Sequence, residues 1–441
     1  MRCRSLSIIY ICLLPFSLAD GAEDFVSKRD QNWHQWRGPL ANGVSPSADP
    51  PIQWNENTNI KWKAKLPGLG SSTPIVWEDQ VFLLTAVETD RVAENPPQTA
   101  PDAKTNPPQN YYQFVVLSYD RRTGKQLWRH VACEDVPHEG RHQTNTYASF
   151  SPMTDGEHLY VSFGSRGLYC YDLNGTPKWS RDLGDMRTRY GWGEATSPVV
   201  HGDSLIINWD HEDQSFITKL SAQTGKTLWK RDRDEVTSWA TPLVVQHKGR
   251  TQVVLNGTNR VQGYDLASGE VIWECGGQSV NAIPSPVTKD GIVFCMSGYR
   301  KNFACAIPLD SVGDITNTDK VVWTHNSRTP YVPSPLLLGD RLYFTRKNSA
   351  ILSCLNAKTG QSIIEDQRLS GLRNLYASPT SAAGRIYFVD RDGTTLVVKH
   401  DGEIEELAIN KLEDRIDASP ALVGNQLFLR GSRYLYCIEE R

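Results

Sequence analysis

Short runs of apolar and aromatic residues recur along the chain, and polar turn residues bound each one. His158-Leu159-Tyr160-Val161, Arg341-Leu342-Tyr343-Phe344 and Arg385-Ile386-Tyr387-Phe388 show rough alternation, the pattern of half-buried strands. A tight polar pair precedes such runs: Asp155-Gly156, His201-Gly202, Asp290-Gly291, Gly339-Asp340, Gly424-Asn425. These pairs suit hairpins that need positive φ. Upstream of each pair, a Ser/Thr-Pro dipeptide opens another apolar run, where proline removes no ladder donor. The dipeptides are Thr73-Pro74, Ser151-Pro152, Ser197-Pro198, Thr241-Pro242, Ser285-Pro286, Ser334-Pro335, Ser378-Pro379 and Ser419-Pro420. A third strand ends at Tyr119-Asp120, Tyr171-Asp172, Tyr264-Asp265 or Leu355-Asn356. After a glycine turn, a fourth carries Trp128, Trp179, Trp229, Trp273 or Trp323.

The dipeptides fall 41 to 49 residues apart, except for a first interval of 78. A repeat of this period is a unit that cannot bury its faces alone. Four antiparallel strands per unit make a propeller blade. The sequence therefore predicts an all-β fold, an eight-bladed propeller of four-stranded blades. The eighth unit ends after three strands, and Asn59-Ile60-Lys61-Trp62-Lys63 is the strand that completes it and closes the ring. The predicted organisation is a signal peptide at 1–19, an N-terminal extension at 20–58, and a propeller at 59–441 with an insertion at 88–112.

Composition narrows the compartment and the partners. Arg2 and Arg4, an apolar stretch from Leu6 to Leu18 and the small residues Ser17 and Ala19 read as a secretory leader. A periplasmic or secreted, monomeric protein is expected. The net charge is −3, and −5 without the leader's two arginines, so a nucleic-acid partner is not expected. Cys170, Cys305, Cys354 and Cys437 share one place in their third strands and read as structural free thiols. An isolated disulfide stays open. No cysteine or histidine cluster has metal-site spacing.

The unit Tyr-Asp-x-x-(Thr/Ser)-Gly-x-x-x-Trp, best seen at Tyr119–Trp128 and Tyr264–Trp273, resembles the pyrroloquinoline quinone (PQQ) repeat family from about residue 59 onward. The resemblance implies that the glycine makes the turn and the tryptophan docks between blades. Ile363-Ile364 and Glu405-Glu406-Leu407 depart from it in the sixth and seventh blades. The family holds two functional classes: quinoprotein dehydrogenases with PQQ and calcium on the ring axis, and non-enzymatic propellers such as the outer-membrane assembly lipoprotein B. Trp33-His34-Gln35-Trp36-Arg37-Gly38-Pro39, Asn42-Gly43-Val44 and Phe163–Tyr169 are similar to exported bacterial proteins with these repeats. No cysteines are adjacent, so the vicinal disulfide of many dehydrogenases is absent. The acidic cluster Asp210-His211-Glu212-Asp213 reads as a solvated turn.

Loops into the first strands, and those joining second to third strands, share one face and hold the longest segments. Asn145, Tyr147, Arg189, Tyr190, Trp192, Trp239, Asn281, Tyr331 and Tyr376 lie on these loops. So do His138, Arg141, His142, Arg187, Tyr299 and Arg300. They are expected to form an aromatic and basic funnel over the axis, suited to planar or anionic ligands or to a protein. His138 and His142 are a weak metal pair. The expected function is a non-enzymatic binding or scaffold module for a protein or small molecule, without a firm cofactor. The alternative is a PQQ- and calcium-dependent oxidoreductase acting on alcohols or sugars, its site drawn from Trp239, Trp192, Asn281 and Asp210 or Glu194. Polysaccharide or envelope binding through aromatic platforms is a third reading.

Overall fold

A computed structural model of the chain describes residues 25–401 and 403–440. The leader expected at 1–19 lies outside the described residues. Eight antiparallel sheets follow one another around a ring, seven of four strands and one of five. The chain is an eight-bladed β-propeller. Among the described residues no helix is long and apolar enough to cross a membrane.

The ring closes as the sequence predicts. Ile60–Lys65 pairs antiparallel with Tyr434–Glu439, the third strand of the eighth blade. Trp62, on this strand, donates its indole N–H to the Arg121 carbonyl at 2.9 Å, in the repeat turn of the first blade. Four other tryptophans do the same one blade further on: Trp128 to Leu173, Trp179 to Ala222, Trp229 to Leu266 and Trp323 to Ala357, at 2.8–3.0 Å. The turn glycine beneath each indole is required. At Gly225 (φ 68°) a Cβ would stand 2.7 Å from Trp179, and at Gly269 (φ 74°) 2.7 Å from Trp229. Steric room and left-handed backbone thus coincide at one position.

Trp273 departs from this scheme. It is buried, and its N–H goes to Gln252 within its own blade. An excursion in the fifth blade covers it instead, and Gly313–Asp314 adds a parallel fifth strand at Trp273 and Glu274. In the seventh blade, which lacks its own tryptophan, Trp54 of the N-terminal extension packs on Tyr387 at 6.5 Å. The segment at 88–112 begins as ladder. Gln80–Val92 pairs with Asn110–Asp120 out to Val92↔Asn110, so the loop proper is 93–109.

The extension is a strap across the side of the ring that carries the repeat turns. Trp33 bridges Val76 in the first blade, and His34 accepts from Thr154 in the second. Val44 bridges Ser381 in the seventh, and Asp49 donates to Gly424 in the eighth. Arg37, fully buried, donates to the carbonyls of Pro335 and Pro379, both at 2.6 Å. Burial lowers its guanidinium to about 9.

Truncating a docked tryptophan removes its packing and orphans the carbonyl below it. Trp62→Ala and Trp229→Ala should each cost about 3–5 kcal/mol in chemical denaturation. Losses below about 1 kcal/mol would show that the indole docks do not hold the ring together.

Candidate functional site

The eight Ser/Thr-Pro dipeptides surround the axis. In seven cases the backbone N–H of one blade's hydroxyl residue donates to the hydroxyl of the next: Thr73 to Ser151, then Ser197, Thr241, Ser285, Ser334, Ser378 and Ser419, at 2.9–3.3 Å. At the seam between the eighth and first blades, the Thr73 hydroxyl is buried without a partner. Arg121 spans that seam, donating to Gln426 at 2.7 Å and to the Val423 carbonyl at 3.2 Å.

This hydroxyl belt is the floor of an axial cavity of about 320 Å³. Trp36 reaches it from the strap, its indole N–H on the Ser285 hydroxyl at 3.1 Å. The walls are Trp192, Trp239, Tyr299, Tyr331 and Tyr376, with His142, Thr144 and Asn145. Trp192, Tyr299 and Tyr331 form a continuous aromatic arc, with ring centroids 6.1 and 4.8 Å apart. Trp239 is buried, with its N–H on the Gly193 carbonyl at 2.7 Å, so it supports the wall as well as facing the cavity. Burial pushes the Tyr331 phenol up to about 12, against the pull of the Asn281 amide.

Five of the nine predicted residues line this space: Asn145, Trp192, Trp239, Tyr331 and Tyr376. Asn145 acts largely as a brace, since its amide donates to the Trp192 carbonyl at 3.0 Å and its oxygen accepts from Thr146 and Ser149. Tyr147 instead lines a smaller pocket behind the wall. Asn281 is buried beside Tyr331 in a left-handed conformation (φ 62°). Tyr190 (φ 57°) lies outside, with Lys104 of the 93–109 loop over its ring. That loop docks here, Lys104 N–H to the Tyr190 carbonyl at 2.8 Å and the Thr105 hydroxyl to Gly191.

Among the described residues no arginine or lysine lines the cavity, so the lining itself is aromatic and not basic. Arg187 pairs with Asp102 and Asp213 at 3.0 and 2.9 Å. Arg189 lies over Tyr190, Arg300 over Tyr299, and Arg141 bonds the Asn145 carbonyl. Tyr299 and Asn145 belong to the cavity wall, so Arg300 and Arg141 contact wall residues without joining the lining themselves. Among the described residues Asp417 is the one carboxylate of the lining. Arg391 holds both its oxygens, Arg415 adds a bond at 3.0 Å, and burial lifts it to about 6. Sequence reasoning missed Asp417, although it stands two residues before Ser419. It also missed Trp36, whose role depends on where the strap crosses.

The other acidic residues lie elsewhere. Asp210 is no solvated turn residue. It is buried against Arg233 at 2.7 Å and accepts from Ser238 at 2.6 Å, because a charge taken out of water must be paired. His211 beside it is buried too. His138 and His142 do not meet. His142 faces the axial cavity, whereas His138 groups with Glu139 and Glu194, their ligand-type atoms within 4.8 Å of one another. Each group already has partners: Ser165 donates to Glu194, Thr188 to Glu139, and His138 Nε2 lies 2.6 Å from the Met186 carbonyl. Burial lifts Glu139 to about 7 and Glu194 to about 8; the Glu139 charge adds to the rise of Glu194, and Asp185 adds to that of Glu139.

Those carboxyl groups hold their protons more tightly folded than unfolded, where the ordinary value is 4.5. The stability they contribute is present at low pH and lost as pH climbs through their folded values. Relative to Glu194→Gln, the wild-type melting temperature should fall from about pH 5 to about pH 8, while the buried histidines, His34 foremost, tilt both proteins the other way below about 6.5. Glu235 and Asp417, also raised by burial, retain their share. Equal slopes in calorimetry of the two proteins would contradict the protonated pair.

Comparison with known proteins agrees with this architecture. A family model described as PQQ_2, outer membrane protein assembly factor BamB, matches residues 113–365. The curated relative, an outer membrane protein assembly factor BamB from Yersinia pestis, is 21% identical over 321 residues. The match covers 71% of this chain and 66% of that protein, just under two thirds of its length. Among solved structures, BamB from Moraxella catarrhalis superposes with a TM-score of 0.53 at 15% identity, covering 81% of this chain and 98% of that one. A quinohemoprotein alcohol dehydrogenase from Comamonas testosteroni gives 0.63 at 11% identity, covering 95% and 83%. Likeness at these identities is likeness of fold. With the repeats, the eight blades and a family match over more than half of its length, the chain belongs to the PQQ-like propeller family described as outer membrane protein assembly factor BamB.

Proposed function

We propose that this protein is an exported, non-enzymatic propeller of the cell envelope that binds a small-molecule ligand in its axial cavity. The observation that carries this reading is the chemistry of the cavity: aromatic walls, a hydroxyl floor, and one carboxylate already neutralised by two guanidinium groups. Similarity to outer membrane protein assembly factors supports a second class of partner, a protein docked on the same loop-rich rim. The rim's tryptophan and tyrosines are residue types that dominate such contacts.

The oxidoreductase alternative fits these residues poorly. PQQ is a tricarboxylate, and among the described residues no lysine or arginine lines the cavity to receive it. Calcium takes about six to eight oxygen ligands, carboxylates foremost. Here Asp417 is held by Arg391 and Arg415, and the Asn145 oxygen by Thr146 and Ser149. The two acids considered for a base, Asp210 and Glu194, are both absent from the lining. No step through that cofactor is derived.

Two measurements test the reading on mature protein. Calorimetry with PQQ and calcium should give no stoichiometric heat, and tight binding would restore the oxidoreductase. Native mass spectrometry of protein purified from its own envelope fraction should find a bound small molecule that Tyr376→Ala loses. If the wild-type protein carries no added mass and no ligand of a broad panel shifts its melting, the cavity is not a ligand site.

A further inference from the structure

We propose that the axial cavity takes a neutral saccharide, its carbon face against the aromatic wall and its oxygens on the hydroxyl belt. This deepens the reading above and rests on the cavity being a ligand site. Three observations converge on that class.

The first is charge. Among the described residues the lining offers no arginine or lysine, and its one carboxylate is already paired twice. Burial lowers His142, which keeps that ring neutral near pH 7. A ligand with a net charge would be desolvated there without a counter-charge, which is costly.

The second is the direction of the floor's hydrogen bonds. Seven of the eight belt hydroxyls, all but that of Thr73, accept a backbone N–H, and the one on Ser285 accepts the Trp36 indole as well. A hydroxyl has one proton to give, and among the described residues these seven protons have no protein acceptor. Accepting a bond polarises an O–H as a donor. The floor is therefore a ring of donors that calls for several acceptor oxygens close together. A flat hydrocarbon or purely aromatic ligand would cover them and leave them unpaired.

The third is the wall. Trp192, Tyr299 and Tyr331 form a continuous apolar arc, with Tyr376 further round. Aromatic faces carry a negative quadrupole and attract polarised C–H groups. A pyranose combines such a C–H face with a rim of ether and hydroxyl oxygens, so it meets both requirements in one molecule. At about 320 Å³ the space is small for a ligand pocket, enough for one or two sugar rings or the end of a longer glycan.

The test is titration of the mature protein with neutral hexoses, N-acetylhexosamines and their disaccharides, followed by intrinsic tryptophan fluorescence and calorimetry. Glucuronate and glucosamine serve as charged counterparts. At least one neutral sugar should give a saturable change. Tyr376→Ala should weaken it about tenfold, Tyr376→Phe should not, and both variants should keep the wild-type melting profile. The charged analogues should bind more weakly than their neutral parents. No saturable response to any neutral sugar, or stronger binding of a charged one, overturns the proposal. A non-sugar mass carried by the native protein would overturn the saccharide while leaving the cavity a ligand site.

Discussion

Around the axis, seven backbone N–H groups sit in places where water is largely excluded and no strand partner is available. Each precedes a proline, which brings no donor of its own. The hydroxyl of the next blade satisfies each one. Because every bond crosses a blade boundary, the position of one blade fixes the next, and the ring is tied at its centre as well as at its rim. The same constraint defines the cavity. The hydroxyls used as acceptors have no protein acceptor for their own protons among the described residues, and two of the belt's proline carbonyls, those of Pro335 and Pro379, are taken by Arg37 from the strap.

The walls depend on elements that never touch the cavity. The 93–109 loop fixes the backbone at Tyr190 and Gly191, which positions Trp192. Asn145 and Trp239 then grip the carbonyls of Trp192 and Gly193. Behind them, Glu139 and Glu194, both raised by burial, secure the same loops by accepting from Thr188 and Ser165. The arginines of these loops pair with carboxylates, rings and a backbone carbonyl, and none of them joins the lining. A chain with many basic and acidic residues thereby builds a nearly neutral cleft.

Much of the fold was legible because the repeat is a packing requirement written once per blade. The Tyr-Asp unit specifies its own turn, seen where Asp120 accepts from the Arg122 and Thr123 N–H groups. The closing strand was legible from a blade one strand short. Trp273 was misread as one more interblade dock because the excursion that covers it carries no repeat signature. The site was half legible. Aromatic residues on the correct loops include those that line the cavity, but Tyr147, Arg189, Tyr190 and Asn281 share those loops and face elsewhere.

The sequence by itself determined the number of blades, their strand order, the ring's closure and the face that bears the long loops, since periodic burial and turn chemistry are local and repeat. Only the tertiary structure decided the cavity's chemistry. Whether an arginine or a carboxylate faces the axis depends on which partner lies nearest in space, and those partners are distant in the chain: Asp102 of the first blade for Arg187, Arg391 of the seventh for Asp417, and Arg233 for Asp210 across the loops of one blade. The floor follows the same logic. Trp36 stands 249 residues from Ser285 in the chain, and only the path of the strap beneath the ring brings them together.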